Sequence, residues 1–181
     1  MADIIGFIRA NIVKSRCVTA GLQFCSNKYR RKLLGKIGWT VGDRSIIHWG
    51  VIPTAKNVRI GHDVVVGSGA LFDGMGTITI EDGIRIGPML KILCTTHPVE
   101  PGLPRRIAGK DLDLDTVIEY GCWIGASTLI LPGVVIRRGC VIAAGSVVTK
   151  STEPNGLYAG VPARRIKDLP TAYDDQAVPA G

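Results

Sequence analysis

Residues 117–150 read VIEYGCWIGASTLILPGVVIRRGCVIAAGSVVTK, and the period of this stretch decides the fold. An aliphatic side chain returns at every sixth place: Ile118, Ile124, Ile130, Ile136, Ile142 and Val148. Four residues after each of the first five comes a small or medium one: Cys122, Thr128, Val134, Cys140 and Ser146. Neither the helical period of about 3.6 nor the strand period of about 2 produces this pattern. It is the hexapeptide period of a parallel β-helix. Three hexads close one triangular coil, and the two marked positions of each hexad point into a narrow prism. Cys122 and Cys140 are 18 residues apart, so they should stack one above the other inside it. Compact residues belong at the corners, where the backbone turns tightly.

Working outward, the register begins at Val41 and Ile47, falters across residues 53–58, and resumes at Ile60, Val66 and Phe72. It is displaced by two residues before Ile80, Ile86 and Ile92, within DGMGTITIEDG at residues 73–83. Such a slip predicts a bulge or an altered corner, and an irregular edge near a site. Between Ile92 and Val117 the repeat stops, and Pro98, Pro101 and Pro104 appear. The expectation is a loop over residues 98–116 thrown out of the coil, of a length that is usually functional.

The chain ends differ from the repeat. Residues 1–40 read as a basic amphipathic helical cap in two pieces, with a break near Gly21, covering the open end of the solenoid. Residues 1–44 carry nine Lys/Arg against Asp3 and Asp43, which accounts for the whole formal excess of +7. That composition is compatible with peripheral contact with an anionic membrane. Nucleic acid is not expected as a partner, because aromatic interleaving and a reader motif are absent. In residues 151–181, Pro154, Asn155, Gly156, Gly160 and Pro162 suggest an irregular crossing, residues 164–169 a short helical turn, and the last stretch a mobile tail.

Five cysteines without a CxxC pair argue for reduced packing thiols in a cytosol-like compartment. There is no apolar run long enough to span a bilayer and no signal-peptide pattern at the start. The expected location is therefore cytoplasmic, extending to the inner membrane face if the basic cap binds there. His48, His62 and His97 are too scattered to predict a metal site. His97 stands apart, because it closes the last hexad before the loop, beside Pro98. It reads either as a base for a hydroxyl proton near neutral pH or as a hydrogen-bonded turn residue. No Gly-x-Ser-x-Gly elbow exists, and no cysteine looks activated, so a covalent route has little support.

Three segments carry a resemblance: TTHPVEP (95–101), GCWIGASTLILPGVVIRRGCVIAAGSVVTK (121–150) and YAGVPARRIK (158–167). The sequence resembles the hexapeptide-repeat, left-handed β-helix acyltransferases, closest to the sugar and polysaccharide O-acetyltransferases of maltose and galactoside type. The resemblance implies an all-β, left-handed parallel β-helix over residues 41–150. It implies a homotrimer with sites in the grooves between neighbours. It further implies acetyl-CoA as cosubstrate, no metal, a sugar or glycan acceptor, and His97 as general base in direct transfer. Trp123 matches a tryptophan near the thioester and acceptor, and Ala126 a position facing the acetyl arm. Ala144 and Gly145 match the corner whose backbone amides line the pantetheine. Thr149 and Lys150 match contacts to distal CoA, and Arg164 and Lys167 contacts to its phosphates or adenine.

One departure concerns the acceptor. An Asn-bearing segment of the galactoside enzymes is replaced here by LFDGMGTI, which leaves Asp73 as the nearest polar candidate to orient His97 or bind sugar. Glu100, Arg105, Arg106 and Asp111 in the loop are further candidates for acceptor contact. The competing functions are N-acylation of an amino sugar, acetylation of an amino acid such as serine, a non-enzymatic trimeric scaffold and a zinc-dependent hydratase. Serine enzymes of this class usually carry a large helical domain ahead of the coil, for which this chain has only some 40 residues.

Overall fold

A computed structural model describes residues 25–99 and 110–171. The hexads form three parallel sheets that wrap around a prism. The first face stacks strands β1 (Thr40–Val41), β4 (Asn57–Ile60), β7 (Thr77–Ile80), β12 (Thr116–Ile118) and β15 (Val135–Ile136). The second carries β2 (Ile46–Ile47), β5 (Val65–Val66), β8 (Arg85–Ile86), β13 (Trp123–Ile124) and β16 (Val141–Ile142). The third carries β3 (Ile52–Pro53), β6 (Leu71–Asp73), β9 (Lys91–Leu93), β14 (Leu129–Ile130) and β17 (Val147–Val148). All the aliphatic beats from Ile118 to Val148 are at most 2 % exposed, as are Cys122, Thr128, Val134, Cys140 and Ser146. The interior is thus the one that the hexad pattern predicts, with Cys122 and Cys140 immediately ahead of the paired strands β13 and β16.

Inter-coil register shows where the repeat deviates. Val41 pairs with Ile60, Ile60 with Ile80, Ile80 with Ile118, and Ile118 with Ile136. Only the last of these steps has the ideal spacing. Every surplus residue falls at one corner, between the third face and the first: after Pro53, after Phe72 and after Leu93. The faltering register at residues 53–58 and the two-residue slip are therefore successive layers of one edge, and the large insertion sits directly above them.

That insertion is bounded differently from the sequence expectation of 98–116. A two-residue antiparallel ladder at its base pairs β10 (Thr95–Thr96) with β11 (Leu112–Asp113), through Thr95↔Asp113 and Thr96↔Leu112. The arm therefore begins before Pro98. Thr116 belongs to the coil: it is buried, lies opposite Ile78, and donates its hydroxyl to Leu93 O at 3.0 Å.

Both ends of the prism are closed. At the first coil lies α1 (Asn27–Gly35), whose Ser26 N-cap accepts from Tyr29 N. Leu34 is fully buried, and the buried Arg30 donates to Ile47 O at 2.6 Å and Cys25 O at 2.7 Å. Trp39 packs edge-on against Phe72 with centroids 4.9 Å apart, and its indole N–H reaches Ala55 O at 2.8 Å. The remainder of the expected cap, with the break near Gly21, lies outside the described residues, as does the tail beyond residue 171.

At the other end β18 (Gly156–Gly160) pairs with β16 and turns back antiparallel into β19 (Ala163–Asp168). The helical turn expected over residues 164–169 is thus a strand. Gly160, at φ +100°, accommodates the reversal. Arg165 then locks the hairpin by stacking on Tyr158 at 5.6 Å and donating to Pro154 O at 3.0 Å and Asp168 Oδ1 at 2.8 Å.

Candidate active site

The antiparallel ladder at the base of the arm brings together the one histidine–carboxylate pair among the described residues. Thr95 Oγ1 accepts from Met75 N at 2.8 Å and donates to Asp113 Oδ1 at 2.7 Å, tying both strands of the arm to the coil below. One step beyond the ladder, His97 Nδ1 lies 2.9 Å from Asp111 Oδ1. The side chains are 48 % and 61 % exposed, so the pair faces solvent and is open to a substrate. An ionised carboxylate only accepts, so Nδ1 carries the proton in this contact. That tautomer leaves Nε2 with a free lone pair, the arrangement a general base requires.

Asp73, expected as a candidate to orient His97, does not do so. Its carboxylate accepts the Thr54 hydroxyl at 2.6 Å, and its carbonyl accepts Cys94 N at 2.9 Å. It is an exposed corner residue one coil below the arm, bound to the coil beneath it. Asp111 holds the imidazole instead. The sequence offered it only as one of several charged loop residues, because a contact across fourteen residues depends on a ladder of two residues that no periodicity announces. Glu100 and Arg105 lie outside the described residues.

The cofactor candidates lie elsewhere on the molecule. Trp123 is 60 % exposed on the second face, between Arg85 below and Val141 above. Ala126, Ala144 and Gly145 stack at the corner between the second and third faces. The coils approach closely there: a Cβ on Gly125 would lie 2.4 Å from Ala144 N, and one on Gly87 2.6 Å from Ala126 N. The Gly145 N–H is taken by Ala126 O at 2.8 Å, contrary to its expected role as a ligand donor. The amides of Ala126 and Ala144 make no hydrogen bond among the described residues. They leave a short column of unpaired backbone donors at this corner.

Thr149 and Lys150 are exposed at the next corner, above the arm. Arg164 and Lys167 are exposed on β19. Arg164 reaches only its neighbour Ala163 O, at 3.0 Å, whereas Arg165 is consumed by the hairpin. One chain therefore separates the His97 arm from the Ala126–Ala144 column by the width of the third face, on which Leu71, Lys91, Leu129 and Val147 are stacked. A groove lined by Arg59, Asp63, Glu81, Asp82 and Tyr120 lies elsewhere, at the corner between the first and second faces.

Cys94, Cys122 and His62 are engaged by the coil itself. Burial pushes the Cys94 thiol up to about 11 and the Cys122 thiol up to about 12, so both stay protonated. His62 Nδ1 accepts from Asp43 N at 2.9 Å, and among the described residues no three His, Cys, Asp or Glu side chains converge as metal ligands would. No helix among the described residues is long and apolar enough to cross a membrane.

A triangular hexapeptide solenoid with an arm bearing an exposed histidine defines a class of transferase. Residues 115–150 match the bacterial transferase hexapeptide family (six repeats). The chain is 33 % identical over 141 residues to the galactoside O-acetyltransferase of Escherichia coli K12, covering 77 % of this chain and 68 % of that protein. It is 34 % identical over 116 residues to the galactoside O-acetyltransferase of Lactococcus lactis, covering 62 % and 55 %. Among solved structures it is similar to a hexapeptide-repeat-containing acetyltransferase of Vibrio cholerae complexed with acetyl coenzyme A. The TM-score there is 0.74 at 27 % identity, over 90 % of this chain and 89 % of that one. The matched part spans between 54 % and 68 % of the length of the first curated relatives. The chain belongs to the hexapeptide-repeat left-handed β-helix acyltransferases, and within them it is related to the maltose and galactoside O-acetyltransferases.

Proposed function

We propose that this chain is an acetyl-CoA-dependent O-acetyltransferase that acts on a hydroxyl of a sugar-type acceptor. The observation that carries the reading is the His97–Asp111 pair on an open arm. His97 Nε2 takes the acceptor hydroxyl proton as the oxygen attacks the acetyl carbonyl. The carbonyl–sulfur bond then breaks, and His97 returns its proton to the departing thiolate, so the imidazole is regenerated in each turnover. Asp111 keeps the ring in the required tautomer and offsets the charge of the imidazolium.

Ala126 and Ala144 offer backbone donors to the amide-bearing arm of the cosubstrate, and Trp123 an exposed ring beside the thioester. Arg164, with Lys150 and Lys167, supplies cations for its phosphates. The resemblance implies a homotrimer, and the placement of the arm and the amide column on different corners of one chain supports a site in which the arm of one copy faces the column of the next. The chain works at a cytoplasmic location.

Release of CoA thiol from acetyl-CoA, followed with a panel of galactosides, maltosides and nucleotide-sugars, tests the reading. Acceptor-dependent release that His97→Ala abolishes is the expected result. Equal release by the variant, or hydrolysis that no acceptor stimulates, would overturn it.

A further inference from the structure

The described residues distribute charge unevenly along the solenoid. Residues 25–58, comprising α1 and the first coil, contain Lys28, Arg30, Arg31, Lys32, Lys36, Arg44 and Lys56 against the single acid Asp43. Three of these cations are spent internally. Arg30 is buried on backbone carbonyls. Arg31 donates to Val41 O at 3.0 Å and Gly42 O at 2.9 Å and lies 3.7 Å from Asp43. Arg44 pairs with Asp63. Lys28, Lys32, Lys36 and Lys56 pair with no carboxylate among the described residues.

Helical geometry gathers these charges. At about 100° per residue, Lys28, Lys32, Lys36 and Tyr29 fall within an arc of about 100°. Arg30 and Leu34, the two buried residues of α1, lie on the opposite side and anchor the helix to the first coil. All three lysines are exposed, and Tyr29 is 52 % exposed. Lys56 is exposed on the first coil, its backbone carbonyl 3.1 Å from where a Cβ on Gly38 would stand, just past the helix.

We infer that this face of α1 docks the solenoid by its first-coil end on an anionic phospholipid surface. Lysine ammonium groups are point charges without the guanidinium fork, which suits a diffuse layer of headgroup phosphates better than directed recognition of a nucleic acid. A tyrosine on the same arc has an apolar ring and a polar tip, the combination that settles at headgroup depth. The packing of Arg30 and Leu34 means that the helix binds as a rigid part of the molecule and orders nothing new.

Co-sedimentation of the full chain with phosphatidylcholine vesicles, with and without about one-third phosphatidylglycerol, at low and high salt, tests the inference. Binding is expected only to the anionic vesicles, and is expected to weaken with salt. Replacing Lys28→Gln, Lys32→Gln and Lys36→Gln together should lower the partition coefficient roughly 100-fold. The thermal midpoint and acetyl transfer to a soluble acceptor should be unchanged, because these side chains touch neither the core nor the His97 arm. Equal binding to neutral vesicles, no binding at low salt, or wild-type binding by the triple variant would each overturn the proposal. So would a short DNA duplex that strips the wild type from the vesicles at equal phosphate concentration, which would reassign the face to nucleic acid.

Discussion

The imidazole of His97 and the carboxylate of Asp111 meet at 2.9 Å only because Thr95–Thr96 and Leu112–Asp113 zip the base of the arm. His97→Ala should lower kcat by ~10²- to 10⁴-fold, the usual worth of a positioned base. Asp111→Asn keeps an acceptor oxygen but removes the charge, so kcat should fall by ~10- to 100-fold. The KM for both substrates should stay within about twofold, since neither change removes binding that is uniform along the reaction. Steady-state kinetics check this, and wild-type kcat in Asp111→Asn would remove the positioning role.

Arg164 and Arg165 are adjacent in sequence and opposite in consequence. Arg165 is bound to Tyr158, Glu153 O, Pro154 O and Asp168, so Arg165→Ala should lower the unfolding midpoint by undoing the terminal hairpin. The Arg164 side chain makes one exposed local contact, so Arg164→Ala should leave stability within about 0.5 kcal/mol and raise the KM for acetyl-CoA. Urea denaturation and kinetics on both variants separate the two roles.

Gly125 has no room for a side chain. Its Cβ would lie 2.4 Å from Ala144 N and 2.8 Å from Ala143 C, which are backbone atoms of the next coil. Gly125→Ala should cost about 1–3 kcal/mol in chemical denaturation by forcing two coils apart. It should also disturb the Ala126–Ala144 amide column and raise the KM for acetyl-CoA. A variant as stable as wild type would show that the corner can spread.

The buried thiols set a limit on alkaline stability. The folded chain keeps its protons on Cys94 up to about 11 and on Cys122 up to about 12, whereas an unfolded thiol loses its proton near the ordinary value of 9.0. Between these values the folded state binds more protons, so the contribution is complete below about 9 and is lost as pH rises through 11 to 12. Both thiols should resist alkylation at pH 8 until the chain unfolds. Mass spectrometry after iodoacetamide, with and without urea, reads this directly, and rapid native labelling of Cys122 would contradict its burial.

The parts of the molecule that were legible in sequence are those that repeat. Ile118 to Val148 announce their own burial, since a solenoid reuses one local environment and a period survives without tertiary information. The place of His97 at the edge of the arm was legible because the period breaks there. Asp111 was not, because its contact is set by a short antiparallel ladder whose register depends on Thr95 and Asp113 finding each other across the arm. The helical turn expected over residues 164–169 gives way to the strand Ala163–Asp168 for a similar reason. ARRIKD has no strand alternation, and its pairing is imposed by the Gly160 reversal and the anchoring of Arg165. Asp73 is the nearest polar residue where the galactoside enzymes place an Asn-bearing segment, but Thr54 on the coil beneath already claims its carboxylate.

Confining every surplus residue to one vertex makes the prism a screw of constant pitch with a single unregulated thread edge. One residue at the first turn, two at the second and a whole arm at the third change nothing on the other two vertices, on one of which Gly87, Gly125 and Ala143 continue in step. Length can be gained or lost at that edge without propagating a shift along the axis. His97 rides on the tolerant vertex and the tightly spaced amides on an intolerant one. If the proposed roles hold, resizing the arm should rewrite acceptor preference while the seat for the acyl donor stays as it is.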